Sequence, residues 1–515
     1  RPHYYCRECK SSDFDSPEVM AEVGGCGFDL PDKICPNCGE KLIKDGFDIP
    51  FETFLGFTGN KEPDIDLNFS GEYQANAHAY TEVMFGKGHS FRAGTMATLA
   101  EKTAFGYVKK YFEERDIIKR KCEIERLAKG CEGIKRSTGQ HPGGMVIVPA
   151  DKEIYEFTPV QKPANDMTTD TITTHFEYHA IDANLLKLDI LGHDDPTMIK
   201  NLEDLTGLVA TTIPLDDPSV MSLFASTEAL GIKPEDIDGT PLGSLGVPEF
   251  GTDFVITMVQ EAKPTKFADL VRISGLSHGT NVWIDNAQRF IAEGKATIAT
   301  AICTRDDIMT YLINKGLDAA MSFNIMEKVR KGKGLSPEFE EAMRAQGVEE
   351  WYIESCKLIK YMFPKAHAAA YVMMAYRIAY YKIFHPLAYY AAFFGIRAKA
   401  FDYELMCLGK KKLLKNYEML MTKKGTSEFM QKDDATLKDM KLVMEMYARG
   451  FEFLPIDIYK SDATKFQIVD GKLLPPFNVI KDVGNNAAIS LQNAAKDGPF
   501  LSKEDLITRA KLSKT

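Results

Sequence analysis

The feature that most constrains the fold is a run in which apolar and polar residues alternate, Pro63-Asp64-Ile65-Asp66-Leu67-Asn68-Phe69. A period of two residues predicts a β-strand with one apolar face and one polar face. The two carboxylates would lie roughly 6–7 Å apart along the strand and would repel each other. A solvated edge strand tolerates that repulsion, whereas a bound divalent cation removes it. Because Ser70-Gly71 and a predicted helix follow, the carboxylates sit at the end of the strand, where phosphate chemistry is commonly placed.

A second strand is predicted in the apolar run Leu185-Leu186-Lys187-Leu188-Asp189-Ile190-Leu191. Burying a charged and unpaired aspartate in such a run would cost several kcal/mol, so Asp189 is predicted to be a ligand or to be paired. Three aspartates on two adjacent strands would form an oxygen cage for two Mg²⁺ ions. Asp64, Asp66 and Asp189 together are therefore our hypothesis for a site of in-line phosphoryl displacement.

Composition is that of a soluble protein, because 44% of the 515 residues are apolar and 26% are charged. No apolar run reaches the length of a membrane span, and no signal peptide is recognised after Arg1. We therefore expect a protein of a reducing cytoplasm without a membrane partner. The net charge of −10 taken alone argues against nucleic-acid binding, but its distribution along the chain matters more than its sum.

Four of the ten cysteines form two Cys-x2-Cys pairs, Cys6 with Cys9 and Cys35 with Cys38. Each pair makes a tight turn that presents two thiolates, and two such turns complete a tetrahedral Zn²⁺ site. Because four thiolates close the coordination shell, the sequence predicts one structural zinc ion in a module at 1–45. Cys26 lies between the two pairs and is a competing candidate ligand, although it has no partner cysteine nearby.

Two segments between the acidic strands are assigned from local pattern. Residues 96–128 are predicted to be helical, with Thr95 as the N-terminal cap. The stretch 136–144 combines Arg136 and His141 with several glycines and runs into a predicted strand at 145–148. A glycine-rich turn with these side chains suits close approach to a phosphate backbone, and it equally suits an ordinary hairpin turn.

Residues 201–425 are predicted to be mostly helical, with a long polar loop rich in glycine and proline at 231–251. Within this region, residues 328–333 contain four cations and no acid, namely Lys328, Arg330, Lys331 and Lys333. Such a cluster usually marks a solvated helix end, and the alternative is a phosphate clamp.

The stretch 355–401 contains no Asp or Glu, seven cations and twelve Phe or Tyr residues. Its middle, 366–384, is predicted to be one long helix. Cations interleaved with aromatic rings suit triphosphate binding and base stacking. The alternative is a buried helix whose lysines extend their charged ends to solvent.

The last segment, 426–515, is predicted to be a smaller helical domain. Within it, 477–486 reads as a glycine-containing turn before a helix at 487–495, an order similar to a helix-hairpin-helix motif. That motif holds duplex phosphates through backbone N–H groups without reading base sequence. Lys481 and Gly484 are the candidate contacts.

Taken together, these segments resemble the bacterial C-family replicative DNA polymerases, the DNA polymerase III alpha subunits. The two acidic strands resemble the palm of that family, and Gly94-Thr95-Met96 and Gln140-His141-Pro142-Gly143-Gly144 fall at two of its characteristic segments. The run from Phe363 to Tyr371 resembles its fingers helix. The four-cysteine module and Lys331-Gly332-Lys333-Gly334-Leu335 are similar to the PolC type in particular.

The resemblance implies an α+β multidomain fold with a polymerase-beta-like nucleotidyltransferase palm. It assigns a four-cysteine zinc module to 1–45, the palm to 46–200, largely helical fingers to 201–425 and a helix-hairpin-helix duplex-binding domain to 426–515. The OB, PHP, 3′–5′ exonuclease and clamp-binding parts of the family are not recognisable here. From the resemblance we also expect the second helix-hairpin-helix to be cut off after Lys514-Thr515 and the start of the palm to be absent. We therefore expect this chain to correspond to part of the family protein.

The implied activity is template-directed addition of dNTPs to a primer 3′-OH, with Asp64, Asp66 and Asp189 holding two Mg²⁺ ions. Candidate triphosphate contacts are Arg305, Lys328, Arg330, Lys331, Lys333, Lys365, His367 and Arg377. Candidate DNA contacts are Arg92, Thr95, Arg136, His141, Lys481 and Gly484. The implied partners are primer–template DNA, dNTPs and, for the full-length protein, the sliding clamp and other replisome subunits of a bacterial cytoplasm, near the nucleoid. Two alternatives are a different metal-dependent nucleotidyltransferase or nuclease, and a non-catalytic zinc-containing DNA-binding scaffold.

Overall fold

The computed structural model describes residues 1–59, Pro63 and 65–513, without the side chain of His179. Asp64, one of the three predicted metal ligands, lies outside the described residues. The chain divides into two compact units, one made of Arg1–Thr53 with Asp194–Thr515 and the other of Phe54–His193. Among the described helices, none combines the length and apolar character that crossing a bilayer requires.

A small cysteine-bearing module begins the first unit. Its elements are β1 (His3–Tyr5), β2 (Ser12–Asp13), α1 (Pro17–Ala21), β3 (Ile43–Asp45) and α2 (Glu52–Leu55). Strand β1 is central and pairs with β2 and β3, both antiparallel. Its core consists of Tyr4, Cys6, Val19, Leu30, Cys35 and Leu42. So few buried side chains cannot offset the entropy of ordering such a segment, and a further crosslink is needed.

The unit Phe54–His193 is built on a six-stranded mixed sheet. Its elements are β4 (Ile65–Ser70), α3 (Gln74–Phe85), β5 (Ser90–Thr98), α4 (Glu101–Glu113), α5 (Lys121–Cys131), β6 (Lys135–Ile147), β7 (Val160–Gln161), β8 (Thr173–Thr174) and β9 (Leu186–His193). The strand order is β4-β9-β6-β5-β8-β7. Strands β4 and β9 are parallel neighbours, as the acidic-strand hypothesis requires, and β9 pairs antiparallel with β6.

The prediction of helix over 96–128, with Thr95 as its cap, is wrong at its start. Thr95 lies inside strand β5, which continues to Thr98, and the helical part is the pair α4 and α5. The glycine-rich stretch 136–144 is likewise strand rather than turn, since it lies within β6 and pairs with β5. Pairing between distant segments overrides local propensity here. Gly94 is required by this packing, because a Cβ there would lie 1.8 Å from the Thr174 carbonyl oxygen.

The helical part of the first unit is organised around one extended hydrophobic core. Its helices are α6 (Asp194–Thr206), α7 (Pro218–Ser222), α8 (Asp253–Ala262), α9 (Phe267–His278), α10 (Gln288–Ala292), α11 (Arg305–Asn314), α12 (Ala319–Arg330), α13 (Pro337–Ala345), α14 (Glu350–Leu358), α15 (Lys365–Phe384), α16 (Pro386–Ala392), α17 (Tyr403–Met406), α18 (Lys410–Met421) and α19 (Gln431–Ala448). The prediction of a mostly helical region is confirmed. The polar loop at 231–251 carries side chains that are buried, among them Ile237, Leu242 and Phe250, so it is part of the core.

Helix α15 confirms the predicted long helix to within one residue at its start. One of its cations does not reach solvent. Lys382 is fully buried, and its Nζ donates to the carbonyl oxygens of Gly243 and Leu245 and pairs with Glu445 at 2.9 Å. Burial lowers the pKa of Lys382 to about 8, against the opposing effect of Glu445. This ammonium group therefore crosslinks a loop and two helices inside the core.

The C-terminal segment forms a hairpin and two further helices. Strands β10 (Gln467–Val469) and β11 (Lys472–Leu474) pair antiparallel, and α20 (Asn485–Lys496) and α21 (Lys503–Arg509) follow. Ala463, Phe477, Ala488, Leu491, Ala494 and Ala510 form a separate small core. This core holds the N-terminal end of α20 beside the exposed turn that contains Lys481.

Candidate functional site

Two carboxylates face each other across the parallel pair of strands β4 and β9. Asp66 and Asp189 are register partners, and neighbouring strands lie about 4.8 Å apart. Like charges directly opposite each other destabilise a sheet. Asp66 is exposed, whereas the Asp189 side chain is only 17% exposed, so water screens the second carboxylate poorly. A cation between the two groups would compensate both charges.

The two oxygens of Asp189 have different surroundings. Its Oδ2 lies 3.1 Å from Nζ of Lys187, which also stands over the Tyr178 ring. Its Oδ1 is buried and receives no hydrogen bond from the described residues. Nδ1 of His141 lies 3.7 Å from this Oδ1. One carboxylate oxygen is therefore in an ion pair, and the other has no hydrogen-bond donor among the described residues.

Polar side chains continue along the same strands beyond the two aspartates. His193 and Asn68 are linked by a 2.9 Å hydrogen bond between Nε2 and Oδ1. Gln74, at the start of α3, donates from Nε2 to the carbonyl oxygens of Ile190 and Pro142. Sequence reasoning missed Gln74 and His193. The prediction that Asp189 is a ligand or paired named no partner for it, and the alternation of the strand, which puts Lys187 on the same face two residues away, is the signal that could have identified this ion pair.

Four predicted DNA contacts lie on one antiparallel pair of strands in the sheet. Arg92 and Thr95 belong to β5, and Arg136 and His141 belong to β6. Arg136 is exposed, with its guanidinium 5.6 Å from the centre of the Tyr107 ring. Arg92 is partly buried, and burial lowers its pKa. The structure therefore brings these side chains onto one pair of strands, although by strand pairing rather than through the predicted turn and cap.

The residues present fit divalent cations at the sheet. Oxygen is the donor type that Mg²⁺ prefers, and both described carboxylates come from adjacent strands. The buried, unbonded Oδ1 of Asp189 is the observation that supports this fit. The contribution of Asp64 stays a prediction, because its placement lies outside the described residues.

The four cysteines of the N-terminal module fit one zinc ion. Their sulfur atoms all lie within 4.8 Å of one another, with Cys6 and Cys38 at 3.5 Å and Cys9 and Cys35 at 3.9 Å. Tetrahedral coordination with Zn–S bonds of about 2.3 Å places sulfur atoms about 3.8 Å apart. Cys26 is not part of this cluster and packs into the large hydrophobic core instead.

Two of the candidate triphosphate contacts are buried in the helical unit. Arg305 and Lys365 are 3% and 8% exposed. Nζ of Lys365 lies 2.9 Å from Asp307. Burial alone would lower the pKa of Lys365, but the charge of Asp307 outweighs it and the pKa is raised. These residues stabilise the junction of α11 and α15, and a substrate would have to displace their existing partners.

The cationic cluster at the C-terminal end of α12 is more accessible. Lys328, Lys331 and Lys333 line a cavity of about 320 Å³ together with Asn324, Glu327 and Phe339. Arg330 is held by Glu327 through two hydrogen bonds of 2.6 and 3.0 Å. The acid that compensates this cluster is therefore Glu327, which immediately precedes the predicted run 328–333.

Two further candidates lie on α15. His367 stacks on Tyr371 and contacts Phe363, with ring centroids 4.3 and 4.9 Å away. Nε of Arg377 is buried without a hydrogen-bond partner among the described residues, and burial lowers the pKa of its guanidinium. An anionic ligand would compensate the charge of this buried side chain.

The start of helix α20 presents backbone donors to solvent. Gly484 is its N-cap residue and makes no side-chain cap, and Lys481, Gly484 and Asn485 are exposed. The first N–H groups of a helix have no partner within the helix and carry partial positive charge. Lys481 adds a full charge beside them.

Comparison with known proteins assigns three parts of the chain. Residues 33–119 and 107–192 match the model described as bacterial DNA polymerase III alpha NTPase domain, and 195–350 match its finger domain. Residues 450–515 match a helix-hairpin-helix motif. Over the entire chain, identity to "DNA polymerase III PolC-type" is 57% in Caldanaerobacter subterraneus subsp. tengcongensis and in Clostridium perfringens, and 54% in Bacillus subtilis. This chain belongs to the PolC-type DNA polymerase III family.

The chain spans 35–36% of the length of these PolC-type relatives while they cover all of it. The mixed α+β fold expected from the resemblance is confirmed, as is the helix-hairpin-helix motif near the C-terminus. In this PolC-type chain Asp66 and Asp189 lie in the part matched by the NTPase-domain model. The cationic cluster at 328–333 lies in the part matched by the finger-domain model.

Proposed function

We propose that this chain carries the nucleotidyl-transfer centre of a template-directed DNA polymerase, which adds dNTPs to a primer 3′-OH and releases pyrophosphate. The observation that carries the proposal is the cross-strand pair Asp66 and Asp189, in which one buried oxygen of Asp189 receives no hydrogen bond from the described part of the chain. Membership of the PolC-type family supports this chemistry, because the relatives are named as DNA polymerases.

Asp64, Asp66 and Asp189 would hold two Mg²⁺ ions, which, when bound, lower the pKa of the primer hydroxyl and neutralise charge on the triphosphate. The protein's own groups contribute positioning and charge compensation, since phosphoryl transfer needs little covalent chemistry from a protein. Lys187 balances one oxygen of Asp189 and fixes the orientation of its carboxylate. Arg305, Lys328, Arg330, Lys331, Lys333, Lys365, His367 and Arg377 stay candidates for the triphosphate.

We assign a structural role to the zinc ion and duplex binding to two surfaces. The paired strands β5 and β6 offer cations to phosphates, and the start of α20 offers a cation and backbone N–H groups. Such contacts confer affinity without base specificity. For the whole protein we infer action with a sliding clamp and other replisome subunits at the bacterial nucleoid.

Primer extension tests the function directly. The chain is incubated with a labelled primer–template, Mg²⁺ and dNTPs, and matched reactions omit either the template or the dNTPs. We expect extension only when both are present. Release of nucleotides without dNTPs would instead support a nuclease. Intact DNA binding without any extension would favour the scaffold and would contradict the proposal for this chain.

Lys481→Ala is expected to weaken duplex binding and to reduce the slope of log affinity against log salt by about 1. The reason is the loss of one cation beside the free N–H groups of α20. Lys496→Ala, at the opposite end of the same helix, is the matched control and should leave the slope unchanged. Fluorescence anisotropy across a salt titration measures both. Equal slopes for the two variants would exclude Lys481 as a phosphate contact.

A further inference from the structure

The imidazole ring of His141 is held by the backbone that follows it. Its Nδ1 accepts hydrogen bonds from the N–H groups of Gly144, at 2.6 Å, and Gly143, at 3.2 Å. A ring nitrogen that accepts an N–H bond carries no proton. The neutral ring therefore carries its proton on Nε2, and the backbone selects this tautomer.

The two glycines after His141 make this conformation possible. A Cβ on Gly144 would lie 2.8 Å from Nδ1 of His141, and a Cβ on Gly143 would lie 2.9 Å from the Ile190 carbonyl oxygen. Any larger residue at either position would therefore push the ring or strand β9 away. The segment His141-Pro142-Gly143-Gly144 thus holds the imidazole ring of His141 against the backbone of its own strand.

The ring is folded back beside the candidate catalytic carboxylate. Gly144 is the register partner of Asp189, and Nδ1 of His141 lies 3.7 Å from Asp189 Oδ1. The His141 side chain is 34% exposed, and its Nε2 makes no hydrogen bond with the described residues. Because the Nδ1 edge faces the backbone and Asp189, the Nε2–H bond is available on the opposite edge of the ring.

We propose that His141 is a substrate-contacting residue whose Nε2–H donates a hydrogen bond to a phosphoryl oxygen next to Asp189. This inference rests on the proposed function and specifies one donor within that site. The phosphoryl oxygen belongs either to the incoming dNTP or to the terminal phosphodiester of the primer. An uncharged donor suits this position, because a second cation beside Asp189 and Lys187 would compete with the metal ions for the carboxylate.

Two substitutions test the Nδ1 acceptor and the Nε2–H donor of the ring separately. His141→Asn keeps an acceptor near the position of Nδ1 and loses the Nε2–H donor. His141→Gln keeps an N–H donor near the position of Nε2 and loses the Nδ1 acceptor. We expect the Asn variant to lose about ten- to a hundredfold in kcat/KM, the range for a hydrogen bond to a charged group, and the Gln variant to lose less.

The kinetic constants also identify the phosphoryl group. A raised KM for dNTP with unchanged primer–template Kd assigns the triphosphate, and a raised primer–template Kd assigns the primer phosphodiester. An Asn variant as active as the wild type, with an impaired Gln variant, would overturn the proposal, because His141 would then only support the glycine segment.

A second measurement does not depend on turnover. In a chain labelled with ¹⁵N-histidine, the His141 resonances, assigned by their absence in the Asn variant, should report an Nε2–H tautomer. We expect the Nε2 signal to shift on adding primer–template, or dNTP with Ca²⁺, to the wild-type chain. If the wild type does not extend primers, the proposed function fails while this signal still decides whether His141 binds a phosphoryl group. An Nδ1–H tautomer, or no shift with either probe, would overturn the inference.

Discussion

Replacing Asp189 with asparagine is expected to reduce primer extension by about a thousandfold or more, because metal ions supply several kcal/mol of transition-state stabilisation. The buried Oδ1 of Asp189 receives no hydrogen bond from the described residues, as the proposed metal site requires. An amide has the same shape but no net charge, so it holds a divalent cation beside Asp66 much more weakly. Primer extension under single-turnover conditions measures the loss.

Metal binding by these variants is measured separately from their activity, and an exposed aspartate serves as the control. Mn²⁺ binding followed by electron paramagnetic resonance should weaken in Asp189→Asn and in Asp66→Asn. Asp151→Asn, an exposed aspartate of the same unit, should keep both metal binding and extension. DNA affinity should stay at the wild-type level in all three variants, because none removes a cation. Full extension by either of the first two variants would refute the metal-site assignment.

Replacing Cys35 with serine is expected to release the zinc ion and unfold the N-terminal module. Structural zinc contributes about 10–16 kcal/mol to the folding of zinc-finger peptides. Here the module has six core side chains, and two of them, Cys6 and Cys35, are themselves candidate ligands. Without the metal the remaining apolar contacts are too few to hold three strands of two or three residues each.

Elemental analysis should find one zinc ion per wild-type chain and a substoichiometric amount in Cys35→Ser. Limited proteolysis should then cleave the variant within 1–45 under conditions in which the wild type resists. Cys122→Ser is the control, because Cys122 is exposed on α5 and outside the four-sulfur cluster. A Cys35→Ser chain that keeps full zinc content and resists proteolysis would refute the assignment of a four-cysteine zinc site.

The features that the sequence predicted correctly depend on short-range periodicity or fixed spacing. The alternation around Asp66 and the apolar run around Asp189 each predicted a strand, and the two strands are adjacent. The two Cys-x2-Cys pairs predicted one four-sulfur cluster, and the structure excludes Cys26 from it. Helix α15 was also predicted, because helical propensity is continuous from Lys365 to Phe384.

The predictions that failed concern segments whose conformation depends on distant partners. Thr95 and the glycines after Arg136 suggested a cap and a turn, yet they pair with each other as strands. The stretch 231–251 was predicted only as a long polar loop, and its local sequence did not show that Lys382 binds two of its carbonyl oxygens inside the core. In both cases the decisive hydrogen bonds join residues far apart in sequence, which local propensity does not describe.

The sequence by itself determined the chemistry of this protein, because carboxylates on alternating strands and thiolates in close pairs specify which ions a chain can hold wherever it folds. The tertiary structure decided which groups meet. It made Asp66 and Asp189 register partners on adjacent strands and paired Lys187 with one oxygen of Asp189. It also placed Nδ1 of His141 where the N–H groups of Gly143 and Gly144 donate to it. Strand register and side-chain burial arise only when distant segments pack together, and these set the geometry in which the predicted chemistry can occur.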